Sequence, residues 1–82
     1  MRIALSENAE RGYKRVPKQE QAKIKKKLAS LQNNPYSGKK LSGEFAKYYS
    51  IRVWPYRIIY GIDKGENRVY VHKIQHRQGA YK

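Results

Sequence analysis

The spacing of apolar positions along this chain changes once, and the change separates a helical first half from an extended second half. Arg2 to Leu5 is short and partly apolar and reads as an edge or first strand. Ser6 then suits an N-cap, with Glu7 in the first turn, where a helix N-terminus favours negative charge. That helix runs through Ala9 and Tyr13 to about Val16. Pro17 breaks the chain and suits the first position of a second helix. From there to Asn33, Ile24, Leu28 and Leu31 recur at helical spacing and form one narrow apolar stripe. Asn33-Asn34-Pro35 ends the helix, Ser37-Gly38 continues the turn, and the two helices make an antiparallel hairpin. Residues 39–45, with the phrase Lys40-Leu41-Ser42-Gly43, read as a connector.

From Tyr48 onward the period drops to two. Tyr49, Ile51 and Val53 take one side, while Tyr48, Ser50, Arg52 and Trp54 take the other. Pro55 implies a tight break, Tyr56 to Ile62 a partner strand, Asp63 to Asn67 a hairpin turn, and Arg68 to Ile74 a third strand. Gln75 to Lys82 is a polar tail. The order is strand, helix, helix and a three-stranded antiparallel meander (β-α-α-β-β-β). This is a two-layer α+β domain spanning residues 1–82, with the apolar stripe buried on one sheet face. The other face is expected to be open and basic.

Charge changes the picture more than size does. The chain has 82 residues, 19 Lys plus Arg against six Asp plus Glu, and a formal charge of +13. Such an imbalance points to nucleic acid, to an acidic protein partner, or to an anionic surface. The basic helix lacks the Trp, Phe and Leu face of an interfacial helix, and no apolar run approaches the ~20 residues of a membrane span. No signal peptide is recognisable, so a cytoplasmic location without membrane contact is expected. There is no cysteine and therefore no disulfide or thiolate zinc site.

The chain offers no closely spaced carboxylate pair, no Gly-rich phosphate loop and no metal-ligand cluster; His72 and His76 have no third ligand beside them. Chemistry without metal or cofactor is open on RNA, whose own 2′-hydroxyl can attack the adjacent phosphorus. Such a site needs an acceptor for that proton, cations for the transition state, and a donor for the leaving oxygen. The last third of the chain concentrates Arg52, Arg57, His76, Arg77 and Tyr81 in a stretch with two acids, Asp63 and Glu66. Lys23, Lys26, Lys27, Lys47 and Arg52 are candidate contacts to RNA phosphates, although a helix-borne lysine run also reads as a plain solvated face.

Lys40-Leu41-Ser42-Gly43, Tyr49-Ser50-Ile51-Arg52-Val53, Tyr56-Arg57-Ile58-Ile59-Tyr60 and Ile74-Gln75-His76-Arg77 with Tyr81 form an ordered set that resembles the RelE/ParE toxin superfamily. The resemblance covers nearly the whole chain and implies the same β-α-α-β-β-β fold. Its RelE branch implies a toxin of a type II toxin–antitoxin pair, cutting mRNA in the ribosomal A site by metal-free 2′-hydroxyl attack. By position, Arg52 matches a basic residue of the second strand, and Arg57 the arginine that stabilises the transition-state phosphate. Arg77 matches a stabiliser or proton donor, Tyr81 the tyrosine that orients the nucleotide, and His76 the local proton-transfer group. The chain departs from the pattern at Ser50, where a lysine often stands, and Glu44 is a base only if the connector folds over the site. The implied partners are a cognate antitoxin, the ribosome and mRNA. Two alternatives stay open: a ParE-like toxin that poisons DNA gyrase, and a basic RNA- or ribosome-binding module without catalysis.

Overall fold

Ser6 starts the first helix as its chemistry suggests. Its hydroxyl accepts the Ala9 N–H at 3.0 Å and donates to the His72 carbonyl at 2.7 Å, tying the helix start to the last strand. The structure, a computed structural model, describes residues 1–77. Its elements are β1 (Arg2–Leu5), α1 (Glu7–Arg15), α2 (Lys18–Asn33), β2 (Lys39–Lys40), β3 (Tyr48–Val53), β4 (Tyr56–Asp63) and β5 (Arg68–His76). Pro17 is the N-cap of α2 and not its first residue. The Gln21 amide donates to the Val16 carbonyl and to the Tyr13 carbonyl, which also accepts the Val16 N–H that closes α1.

The strands form one five-stranded sheet in the order β1-β5-β4-β3-β2. β1 runs parallel to β5, and the remaining pairs are antiparallel. The expected α+β order therefore holds, with a correction at the connector: Lys39–Lys40 is an edge strand on β3. A two-residue strand carries no period of its own and exists only through its partner. The β3–β4 reversal passes through a cis Trp54–Pro55 peptide, and Val53 faces Tyr56 where the two strands meet.

Ile24, Leu28 and Leu31 of α2 are buried with Val53, Ile58, Tyr60, Val69, Val71 and Ile74 of the sheet, and Ala9 of α1 and its C-cap Val16 complete the core. The helices thus cover one face, because only there do the stripe of α2 and the alternate strand residues find apolar partners. Gly12 lets α1 cross β5 at close range: a β-carbon there would collide with the Ile74 carbonyl oxygen. No charged residue is fully buried among the described residues, although Glu20 Oε2 and Arg68 Nε are covered from solvent. No helix among them is long and apolar enough to cross a membrane.

Candidate functional site

Register decides which side chains share the uncovered face. Across β3 and β4, Arg52 stands directly opposite Arg57, and Arg57 in turn opposite Gln75 of β5. Facing residues project from the same side with β-carbons about 5 Å apart, so the two arginines flank each other away from the helices. Neither takes part in an ion pair among the described residues. They line an open depression of about 400 Å³ together with Ser37, Gly38, Lys39, Leu41, Ser50 and Ile51. No acidic residue lines it. A site with guanidinium groups, a lysine and no carboxylate is built to attract an anion, and the fork of Arg suits a phosphate.

Arg77 reaches the same end of the sheet. Its backbone N–H donates to the Pro55 carbonyl at 2.8 Å, and its guanidinium lies 4.8 Å from the centre of the Trp54 ring. Trp54 remains 58% exposed, so this stack is a surface feature beside the β3–β4 turn. His76 is at that end too but on the other face. It registers opposite Tyr56, meets that ring edge-on at 5.3 Å, and borders a groove with Arg11, Gly12 and Arg15 of α1. The structure thus brings Arg52 and Arg57 together, sets Arg77 at the adjoining turn, and separates His76 from them by the thickness of the sheet. Tyr81 lies outside the described residues.

The helix-borne cations form a separate patch. Lys23, Lys26 and Lys27 surround a depression of about 360 Å³ floored by Ser30 and Val53, and Lys23 is engaged with Glu20 at 3.1 Å. Lys47 precedes the far end of β3, five residues from Arg52, or about 16 Å along an extended chain. There it borders a depression with Tyr48, Gly61, Asp63, Arg68 and Tyr70. Over the bare Gly61 backbone, the Tyr48 and His72 rings stack with centroids 5.0 Å apart. No group of three or more His, Asp or Glu residues placed to hold a metal ion occurs among the described residues. Sequence reasoning missed Lys39, which pairs with Ser50 on the floor of the arginine depression. No signal in a two-residue strand could have placed it.

Comparison with known proteins agrees with this architecture. The family model for the ParE toxin of type II toxin–antitoxin systems (parDE) matches residues 3–81. Toxin RelE of Mycobacterium tuberculosis is 32% identical over 82 residues, covering 98% of this chain and 84% of its own. Among solved structures, the RelBE2 toxin–antitoxin complex of the same organism superposes with a TM-score of 0.86 at 27% identity, covering 93% of this chain and 96% of that one. The isolated RelE toxin of Escherichia coli gives 0.79 at 22% identity, over 92% and 82% of the two chains. The sheet order, the helical cover, the arginine-lined open face and these matches place the chain in the RelE/ParE superfamily of toxins of type II toxin–antitoxin systems.

Proposed function

We propose that this toxin is a metal-free, ribosome-dependent endoribonuclease that cuts mRNA in the A site. The observation that carries this reading is the Arg52–Arg57 pair over an open depression without a carboxylate. In the proposed step the 2′-oxygen bonds to the adjacent phosphorus, the bond to the 5′-oxygen breaks, and a 2′,3′-cyclic phosphate and a 5′-hydroxyl result. One proton leaves the 2′-hydroxyl and one arrives at the 5′-oxygen. Arg57 holds two non-bridging oxygens and the charge that grows on them, Arg52 holds the neighbouring backbone, and Arg77 faces the leaving oxygen. Tyr81 orients the nucleotide. His76 is the remaining proton-transfer candidate of this reading and stands on the far face of the sheet, opposite Tyr56. Lys23, Lys26, Lys27 and Lys47 contact ribosomal phosphates without reading sequence.

RelE relatives are solved in complex with RelB antitoxins. A cognate antitoxin that masks the basic surface in the cytoplasm follows for this chain. The match to the ParE toxin family model favours a second reading, a toxin that binds and poisons DNA gyrase. Induced expression, with mapping of mRNA 5′ ends in the presence and absence of assembled ribosomes, separates the two. The nuclease reading expects cuts only with ribosomes, and their loss in Arg57→Ala with the fold intact. Intact messages accompanied by DNA damage select the gyrase reading.

A further inference from the structure

A third cation belongs to the arginine depression. Lys39 is one of the two residues of β2 and pairs directly with Ser50, so its side chain leaves the sheet on the same side as those of Ser50 and Arg52. It lines the depression with both arginines, and it joins no ion pair among the described residues. Ser50 is short and leaves the floor between them open.

The position of Lys39 is fixed from beneath. The buried Tyr60 hydroxyl accepts the Gly38 N–H at 3.0 Å and donates to the Pro35 carbonyl at 2.7 Å. The chain enters β2 as closely as glycine permits, since a β-carbon at Gly38 would lie 2.5 Å from that hydroxyl and 3.0 Å from the Ser50 carbonyl oxygen. On the other side the Leu41 N–H donates to the Tyr48 carbonyl at 3.0 Å. An edge strand of two residues is thereby held at both ends, and its one open-face side chain on the depression is an ammonium.

We propose that Lys39 is a substrate-contacting cation of this site, placing its ammonium on a non-bridging oxygen of the RNA backbone beside the phosphate held by Arg52 and Arg57. The proposal rests on the ribonuclease reading above. Ammonium is a compact point charge on a flexible stem, and it complements the flat forks of the arginines.

Single-turnover cleavage on programmed ribosomes tests it with wild type, Lys39→Ala, Lys39→Arg and the double variant Lys39→Ala/Ser50→Lys. Lys39→Ala should slow cleavage by about tenfold to a hundredfold, below the full loss of a rigid transition-state donor because the lysine is mobile. Lys39→Arg should keep most of the rate. Ser50→Lys should restore most of what Lys39→Ala loses, because it returns an ammonium to the facing position. The slope of log binding constant against log salt for single-stranded RNA should fall by about 0.7 in Lys39→Ala, the share of one phosphate contact. Cleavage by Lys39→Ala at the wild-type rate, or failure of Ser50→Lys to restore it in a folded protein, overturns the assignment of Lys39 alone. Wild-type protein that leaves ribosome-bound message whole overturns the ribonuclease reading and this assignment with it.

Discussion

Replacing Tyr60 by Phe removes one oxygen and should be felt well beyond it. Tyr60 is fully buried, and its ring stacks on Tyr49 with centroids 5.5 Å apart. Phe preserves that packing, so no cavity term enters. What disappears is the pair of hydrogen bonds to Gly38 and Pro35 at the start of β2. A neutral hydrogen bond contributes about 1 kcal/mol net, and a stranded buried group adds a desolvation cost. Gly38 and Pro35 are only half-buried, so water recovers part of that cost. The expected loss is therefore ~2 kcal/mol. For a chain this short it lowers Tm by ~8–16 °C. Urea titration followed by circular dichroism should show a lower midpoint with an unchanged slope.

The same variant should change the alkaline limb of stability. Burial pushes the Tyr60 phenol above its ordinary value; the Gly38 N–H works against this and the neighbouring Tyr49 adds to it. A folded pKa above the unfolded one means that the folded chain keeps its proton longer. That stabilisation is complete below about pH 10 and drains away as the pH rises past the unfolded value. Tyr60→Phe lacks this proton, so the gap between wild type and variant should narrow above about pH 10. A stability loss under ~0.5 kcal/mol would show that the hydroxyl does not clamp β2, and the account of how Lys39 is positioned would fall with it.

Gly12→Ala gains up to ~1 kcal/mol of helix propensity on paper. It should nevertheless lower Tm, by overpacking worth ~1–3 kcal/mol, because the new methyl meets the Ile74 carbonyl oxygen and comes within 3.4 Å of the Ile74 side chain. A rise in Tm would mean that α1 is free to lift off β5. Ser6→Ala removes the N-cap of α1 and the bond to His72 together, for a loss of ~1–2 kcal/mol in urea titration. Ser6→Thr should recover most of it, and equal losses in both variants would exclude the hydroxyl as the cause.

The stripe of α2 was legible because Ile24, Leu28 and Leu31 can be buried together only on one helix face, and all three are core residues. The alternation of β3 likewise announced that Ser50 and Arg52 face away from Tyr49, Ile51 and Val53. The faces of β5 were harder. The register skips from Val71 opposite Tyr60 to Lys73 opposite Ile59, leaving His72 as the extra residue of a bulge. Beyond it the parity is reversed, so Gln75 and not Ile74 stands beside Arg57, and His76 falls on the helix side. The signal existed in the spacing of the buried residues Val69, Val71 and Ile74, which steps by two and then by three. Pairing of β1 with β5 is non-local, and no local pattern encodes it.

Arg52 opposite Arg57 runs against the ordinary economy of sheets, in which like charges facing each other destabilise the pair by ~0.2–1 kcal/mol. No carboxylate relieves them in the depression. A local conflict that the fold tolerates is expected where a ligand supplies the missing charge. Two effects of opposite sign follow. Arg57→Gln, which keeps a polar stem and loses the charge, should raise stability by ~0.2–1 kcal/mol at low salt while abolishing cleavage. Inorganic phosphate at about ten times its dissociation constant should stabilise the wild type by ~1.4 kcal/mol, and Arg57→Gln by distinctly less. Differential scanning fluorimetry at matched ionic strength separates this from general screening of the +13 chain. A less stable Arg57→Gln, or equal gains from phosphate in both proteins, would mean that the two guanidinium groups are spread apart in solution and share no anion.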